Sequence, residues 1–112
     1  MEVIKKFPET MNERTAYKMI KSPDVKKMLD AEDSILEVKS WVKYSVVDSK
    51  TGDIKEILTL ETVDGEMFGT VSEIFKREFD DIVSFFGDDV GAIKVIGGTS
   101  KSGRKFITCT VE

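Results

Sequence analysis

ETVDGEMFGTVSEIFKREFDDIVSFFG, residues 61–87, is the stretch on which the fold turns. Asp64-Gly65, set between Thr62-Val63 and Glu66-Met67, is the strongest short-range hairpin signal in the chain. Residues that tolerate positive φ close tight turns between strands. Thr70-Val-Ser-Glu73 follows as a capping-box pattern, which satisfies orphan backbone N–H groups at a helix start. It opens a helix whose Phe75, Phe79, Ile82, Val83 and Phe86 share one stripe, and Gly87 stops it.

On the N-terminal side the period is two. Leu36, Val38, Val42, Tyr44 and Val46 fall on one face of a long strand interrupted only by Ser40. The turn Asp48-Ser-Lys-Thr-Gly52 leads to a second strand in which Ile54, Leu58 and Leu60 alternate. On the C-terminal side, strands Ala92–Ile96 and Arg104–Val111 are joined by Gly97-Gly-Thr-Ser-Lys-Ser-Gly103. The order is strand, strand, strand, helix, strand, strand. That is the chain order of the OB-fold, a small five-stranded Greek-key barrel, although other five-stranded α+β folds share it.

The expected fold is therefore mainly β, an OB-like barrel over residues 34–112. One or two short helices precede it in residues 12–33. Asn12 caps Glu13–Lys21, which carries Tyr17 and Ile20, and Ser22-Pro23 opens a turn or two bearing Val25, Met28 and Leu29. Residues 1–11 read as a flexible arm. At 112 residues the chain makes one domain.

Composition removes whole classes of chemistry. The chain has no histidine and one cysteine. Histidine triads, histidine-ligated zinc and imidazole relays are excluded, and no intrachain disulfide can form. The carboxylate pairs Glu32-Asp33, Asp80-Asp81 and Asp88-Asp89 lack a calcium-loop spacing, and Gly97–Gly103 lacks the Gly-Lys-Ser/Thr of a P-loop. No metal, cofactor or catalytic pair is expected, and an enzyme is the weakest reading. No apolar run is long enough for a membrane span and no secretory signal opens the chain. A reducing cytoplasm is the expected setting.

The net charge of −4 is an average over unlike parts. Residues 1–29 carry seven basic and four acidic side chains, residues 30–89 six and sixteen, and residues 90–112 four and one. The balance runs +3, −10, +3, so the total does not exclude a polyanionic partner.

A two-residue hairpin at Asp64-Gly65 places Glu61 opposite Phe68, and Thr59, Glu61 and Phe68 then point outward. Pairing Val42 with Leu58 puts Trp41 outward as well, flanked by Lys39 and Lys43. In the last hairpin, Ile107, Cys109 and Val111 point inward, so Arg104, Phe106 and Thr108 face out with Lys94 across from Phe106. The outer surface then gathers Trp41, Phe68 and Phe106 among Lys39, Lys43, Lys94, Lys101, Arg104 and Lys105. Aromatic platforms interleaved with cations suit unpaired nucleic acid, since bases stack and phosphates are neutralised. A one-residue slip would instead send Trp41 and Phe68 into the core. Phe106 could equally cover a helix or join a dimer interface.

Three segments, Glu61–Phe68, Phe75–Phe86 and Gly98-Thr-Ser-Lys-Ser-Gly-Arg-Lys-Phe-Ile-Thr-Cys109, resemble small single-stranded DNA-binding proteins. Such proteins occur in phages and mobile elements of Gram-positive bacteria. The resemblance spans roughly residues 12–111, and its most specific part is the last segment. It implies an OB-like fold and a role with single strands during replication, with replication proteins or a second copy as further partners. Better-known bacterial relatives end in a Gly/Pro-rich tail with an acidic peptide, whereas this chain stops at Val111-Glu112. Tail-mediated recruitment and a tetramer are therefore not expected. The competing class is a protein-interaction module, a phage-encoded inhibitor or adaptor, using the same aromatics and an acidic helix.

Overall fold

The long strand β3 (Ile35–Val47) organises the molecule, because three other strands pair with it. In the computed structural model, which describes residues 1–112, β4 (Ile54–Thr62) runs along one edge of β3. The other edge is divided. Ile35–Glu37 pair with β6 (Ala92–Thr99), and Trp41–Ser45 pair with β1 (Glu2–Phe7). Beyond β4 lie β5 (Met67–Thr70) and the two-residue β2 (Lys26–Lys27), and beyond β6 lies β7 (Lys105–Val111). The sheet curls into an OB-like barrel left open between β5 and β7. Across that seam the Ser72 hydroxyl donates to the Ile107 carbonyl at 3.4 Å. Helix α1 (Glu13–Lys21) lies on the outer face of β3 and β4, and α2 (Glu73–Phe86) closes the inner side.

Two local irregularities decide which side chains the core receives. The register of β3 on β4 shifts between Val38 and Ser40, so that Val38 faces Thr62 while Ser40 faces Glu61. Lys39 is the extra residue of a β-bulge, and beyond it the alternation inverts. The second irregularity is the hairpin. Thr62 N–H donates to the Glu66 carbonyl at 2.8 Å and Gly65 N–H to the Thr62 carbonyl at 2.9 Å, with Gly65 at φ 87°. The loop is thus Val63-Asp64-Gly65, three residues rather than two, with the glycine in the left-handed region. Leu60 consequently faces Phe68 and Trp41, Glu61 faces Met67, and Val42 faces Thr59.

The outward placement of Trp41 and Phe68 is therefore overturned. Trp41 is 1% and Phe68 5% exposed, in a core with Leu58, Leu60, Phe75 and Phe79. The Trp41 indole N–H donates to the Asp88 carbonyl at 2.8 Å, and its ring meets Phe79 edge-on at 5.4 Å. Val42 and Tyr44, now on the outer face, are covered by Met11 and by Ala16 and Met19 of α1. Both faces of this part of the sheet are thereby buried, each by one helix.

Further expectations change. The supposed arm forms β1, because Phe7 stacks on Trp41 at 6.4 Å and Lys5 pairs with Asp88 at 2.9 Å. The second N-terminal helix is replaced by β2 and a 3-10 turn at Met28–Ala31, whose Met28 and Ala31 are buried while the lysines pair in parallel with β5. The apolar face of α1 is Ala16 and Met19 with the half-buried Ile20, leaving Tyr17 exposed. Asn12 does cap α1, its side chain accepting from Thr15 N–H at 2.8 Å. The cap of α2 is Ser72 rather than Thr70, and its buried stripe ends at Val83, so Phe86 is exposed.

Replacing Trp41 with alanine deletes a fully buried ring and its hydrogen bond. Urea unfolding should show a loss of about 3–5 kcal/mol, and the parent's tryptophan emission should be blue-shifted by burial. Cys109 is buried, donates weakly to the Phe75 carbonyl at 3.8 Å, and its thiol is pushed up to about 12 by burial, with a smaller push from the Glu78 carboxylate. The unfolded thiol titrates at about 8.5. Below that pH the group leaves stability unchanged, and above it the unfolded state loses the proton first, so stability falls as pH rises toward 12. A Cys109→Ser control should flatten that alkaline decline, and the native thiol should react with a thiol reagent at pH 8 only after denaturation.

Candidate nucleic-acid interface

Along β7 the side chains alternate, sending Ile107 and Cys109 into the core and Phe106 and Thr108 outward. Phe106 pairs with Gly98 of β6, and its ring occupies the space a side chain there would need. A Cβ at Gly98 would lie 2.5 Å from the ring's Cζ. Glycine at this position is thus what lets the aromatic ring lie flat on the strand. The half-buried ring then forms part of the wall of the open seam.

The turn before it is a three-residue loop, Lys101-Ser102-Gly103. Ser100 N–H donates to the Arg104 carbonyl at 2.8 Å, Gly103 N–H to the Ser100 carbonyl at 2.9 Å, and Gly103 has φ 83°. Lys101 and Arg104 are exposed on it, and Lys105 follows at the start of β7. Facing them across the seam is β2, which the Ser22-Pro23 turn delivers to the edge of β5. Val25 packs against Gly69 there, within 3.3 Å of where a Cβ would be.

Between these walls runs a cleft of about 480 Å³. Ile57, Val71 and Leu29 supply apolar lining, Phe106 an aromatic wall, and Lys27 and Lys105 stand on opposite rims. Its shape and chemistry fit a base and its phosphates, an apolar trough with cations on both sides. In an OB-fold, the second and third strands and the loops joining strands 1–2 and 4–5 form the binding region. Here those strands are β4 and β5, and the second loop is the one that carries Lys101.

Charge is segregated in the same way. Lys5, Lys43 and Lys76 pair with Asp88, Asp80 and Glu73, in α2 or just beyond it. Lys76 is buried and also donates to the Glu56 carbonyl at 2.7 Å. The Lys76 ammonium donates to Glu73 and lowers that carboxyl's pKa. Lys27, Lys101, Arg104 and Lys105 form no ion pair, although Lys26 beside them pairs with Glu66 at 3.3 Å.

The sequence-predicted residues separate accordingly. Lys105 and Phe106 line the cleft, with Arg104 and Lys101 on the turn leading into it. Trp41 and Phe68 are core residues. Lys43 follows Trp41 to the inner side, half-buried and ion-paired to Glu56 and Asp80. Lys94 is exposed but faces Thr110, not Phe106, four residues away from Gly98 along β6. Lys39, at the bulge, borders a separate hollow with Pro8, Asn12 and Glu61. Lys27 was missed. Its signal is the dibasic Lys26-Lys27 within the +3 opening segment, which a helical turn at this place would leave in solvent.

A search of curated proteins and a search of solved structures each found no match. A protein-family model described as Phage Single-stranded DNA-binding protein matches residues 9–112, from just after β1 through the basic hairpin. The match covers α1, every strand of the sheet except β1, and both walls of the cleft, and the chain belongs to the phage single-stranded DNA-binding protein family.

Proposed function

We propose that the chain binds single-stranded DNA in the seam between β5 and β7, without catalysing a reaction, during phage or mobile-element DNA replication in the bacterial cytoplasm. The observation that carries this reading is the placement of Phe106, Lys105 and Lys27 around one apolar cleft, in a member of this family. A base stacks on Phe106, while Lys27, Lys101, Arg104 and Lys105 hold the flanking phosphates. Lys94 and Lys39 lie outside the cleft and contribute only to the surrounding field. Stacking reads no sequence, because every base offers a π-face. Membrane crossing has no helical candidate, since no helix is long and apolar enough.

Binding of a labelled oligo-dT, followed by anisotropy at several salt concentrations, tests the assignment. Phe106→Ala should weaken binding by about 5- to 150-fold, from roughly 1–3 kcal/mol per stacked base. Replacing Lys101, Arg104 and Lys105 with glutamine should reduce the salt slope by about 2. Gly98→Ala should weaken binding too, by tilting the Phe106 ring off the strand. Parent-like affinity in all three variants would overturn the cleft.

The protein-interaction reading has support at a different place. Phe85 and Phe86 pack on each other with centroids 4.8 Å apart, yet both are exposed, beside Asp81, Asp88 and Asp89. An acidic aromatic surface repels DNA and suits a basic protein partner, a replication protein or the basic hairpin of a second copy. A Phe85→Ser/Phe86→Ser variant should keep oligo-dT affinity within about twofold, as a surface change remote from the site. It should also abolish any concentration-dependent sedimentation of the parent.

A further inference from the structure

The outer face of β3 and β4 is not open to a ligand, because α1 covers it through Ala16 and Met19 on Val42 and Tyr44. A strand leaving the cleft on that side meets α1 instead of the sheet. The junction is direct. Ile57 lines the cleft and also packs at the edge of the α1 cluster, and the chain from α1 runs through Ser22–Val25 into Lys26-Lys27 on the cleft rim.

The exposed side of α1 carries Arg14, Lys18 and Lys21 at helical spacings of four and three, so they form one row away from the sheet. None of the three makes an ion pair, although Glu13 and Asp24 lie near the two ends of the row. Beside the row is Tyr17, 59% exposed, an aromatic ring that the core leaves free. From Arg14 to Lys21 the row rises about 10 Å, enough for roughly two phosphates of an extended strand.

Resting on the cleft reading above, we infer that α1 is a second contact region for the same single strand. Arg14, Lys18 and Lys21 follow its phosphates and Tyr17 stacks on a base, extending the path from Lys105 and Lys27. The binding track then crosses the surface opposite the acidic end of α2, and longer strands gain contacts that short ones cannot reach.

The test compares a short oligo-dT of about 4 nucleotides with a long one of about 16, the span of OB-fold site sizes. An Arg14→Gln/Lys18→Gln/Lys21→Gln variant should lose about 1.4 from the salt slope on the long strand and at least tenfold in affinity at low salt. On the short strand it should match the parent within about twofold. Arg77→Gln, on α2 and off the track, controls for loss of a surface cation and should leave the long-strand slope unchanged. Independently, an iodouracil-substituted long oligo should crosslink to Tyr17 under ultraviolet light, identified by peptide mapping of the folded parent. A parental slope on the long strand, equal losses on both strands, or crosslinks confined to the 101–106 segment would each overturn the α1 track. Parental long-strand binding by the α1 variant with loss by Phe106→Ala leaves the cleft standing. Parental binding by Phe106→Ala and by the Lys101/Arg104/Lys105 variant removes the cleft reading and the inference with it.

Discussion

The inserted residue Lys39 is the constraint on which the arrangement of this molecule depends. By adding one residue to β3 but not to β4, it lets a single strand send Leu36 and Val38 to the inner face and Val42 and Tyr44 to the outer one. Two helices on opposite sides of the sheet need that inversion, since each requires an apolar surface to cover. The bulge also aims Trp41 inward, where its indole N–H reaches the Asp88 carbonyl and fixes the end of α2 against the barrel. A bulge localises twist and curvature, which suits a sheet that must curl around a core of this size.

With one outer face covered by α1, the open side of the barrel is the seam between β5 and β7. Its lining is apolar because Leu29, Ile57, Val71 and Phe106, which the core leaves partly or fully exposed, converge on it, and its rims are basic because the cations there form no ion pair. The carboxylates gather instead along and beyond α2, where they neutralise Lys5, Lys43 and Lys76. A net-acidic protein thereby keeps a basic track, and the separation follows from where the two +3 segments lie in the fold. Binding through phosphate contacts loses affinity with salt in proportion to their number.

Much was legible in the residues themselves. The strand and helix order, the caps at Asn12 and Gly87, and the inward alternation of Ile107 and Cys109 all rest on local chemistry. The cations and ring of the last hairpin were legible for the same reason, since alternation in β7 is uninterrupted. Trp41, Phe68 and Lys43 were misread because their facing was counted across a bulge and a turn. Neither leaves a distinctive residue pattern, as lysine is an ordinary strand residue and Asp-Gly serves loops of two or three residues alike. Lys27 was missed because its position depends on pairing with Gly69 of β5, 42 residues away in sequence.

By itself, then, the sequence determined the five main strands, the two α-helices, the family and the uneven charge, all of which rest on residue identity and short-range spacing. Residues 61–87 did specify a hairpin followed by a helix, and residues 98–109 did carry the basic aromatic hairpin. Tertiary structure decided which aromatic residues are buried, which lysines are neutralised, and that the cleft is completed by β2. The physical reason is that facing in a sheet has a period of two, so one extra residue reverses every side chain beyond it. Only the pairing of distant strands records where that residue is.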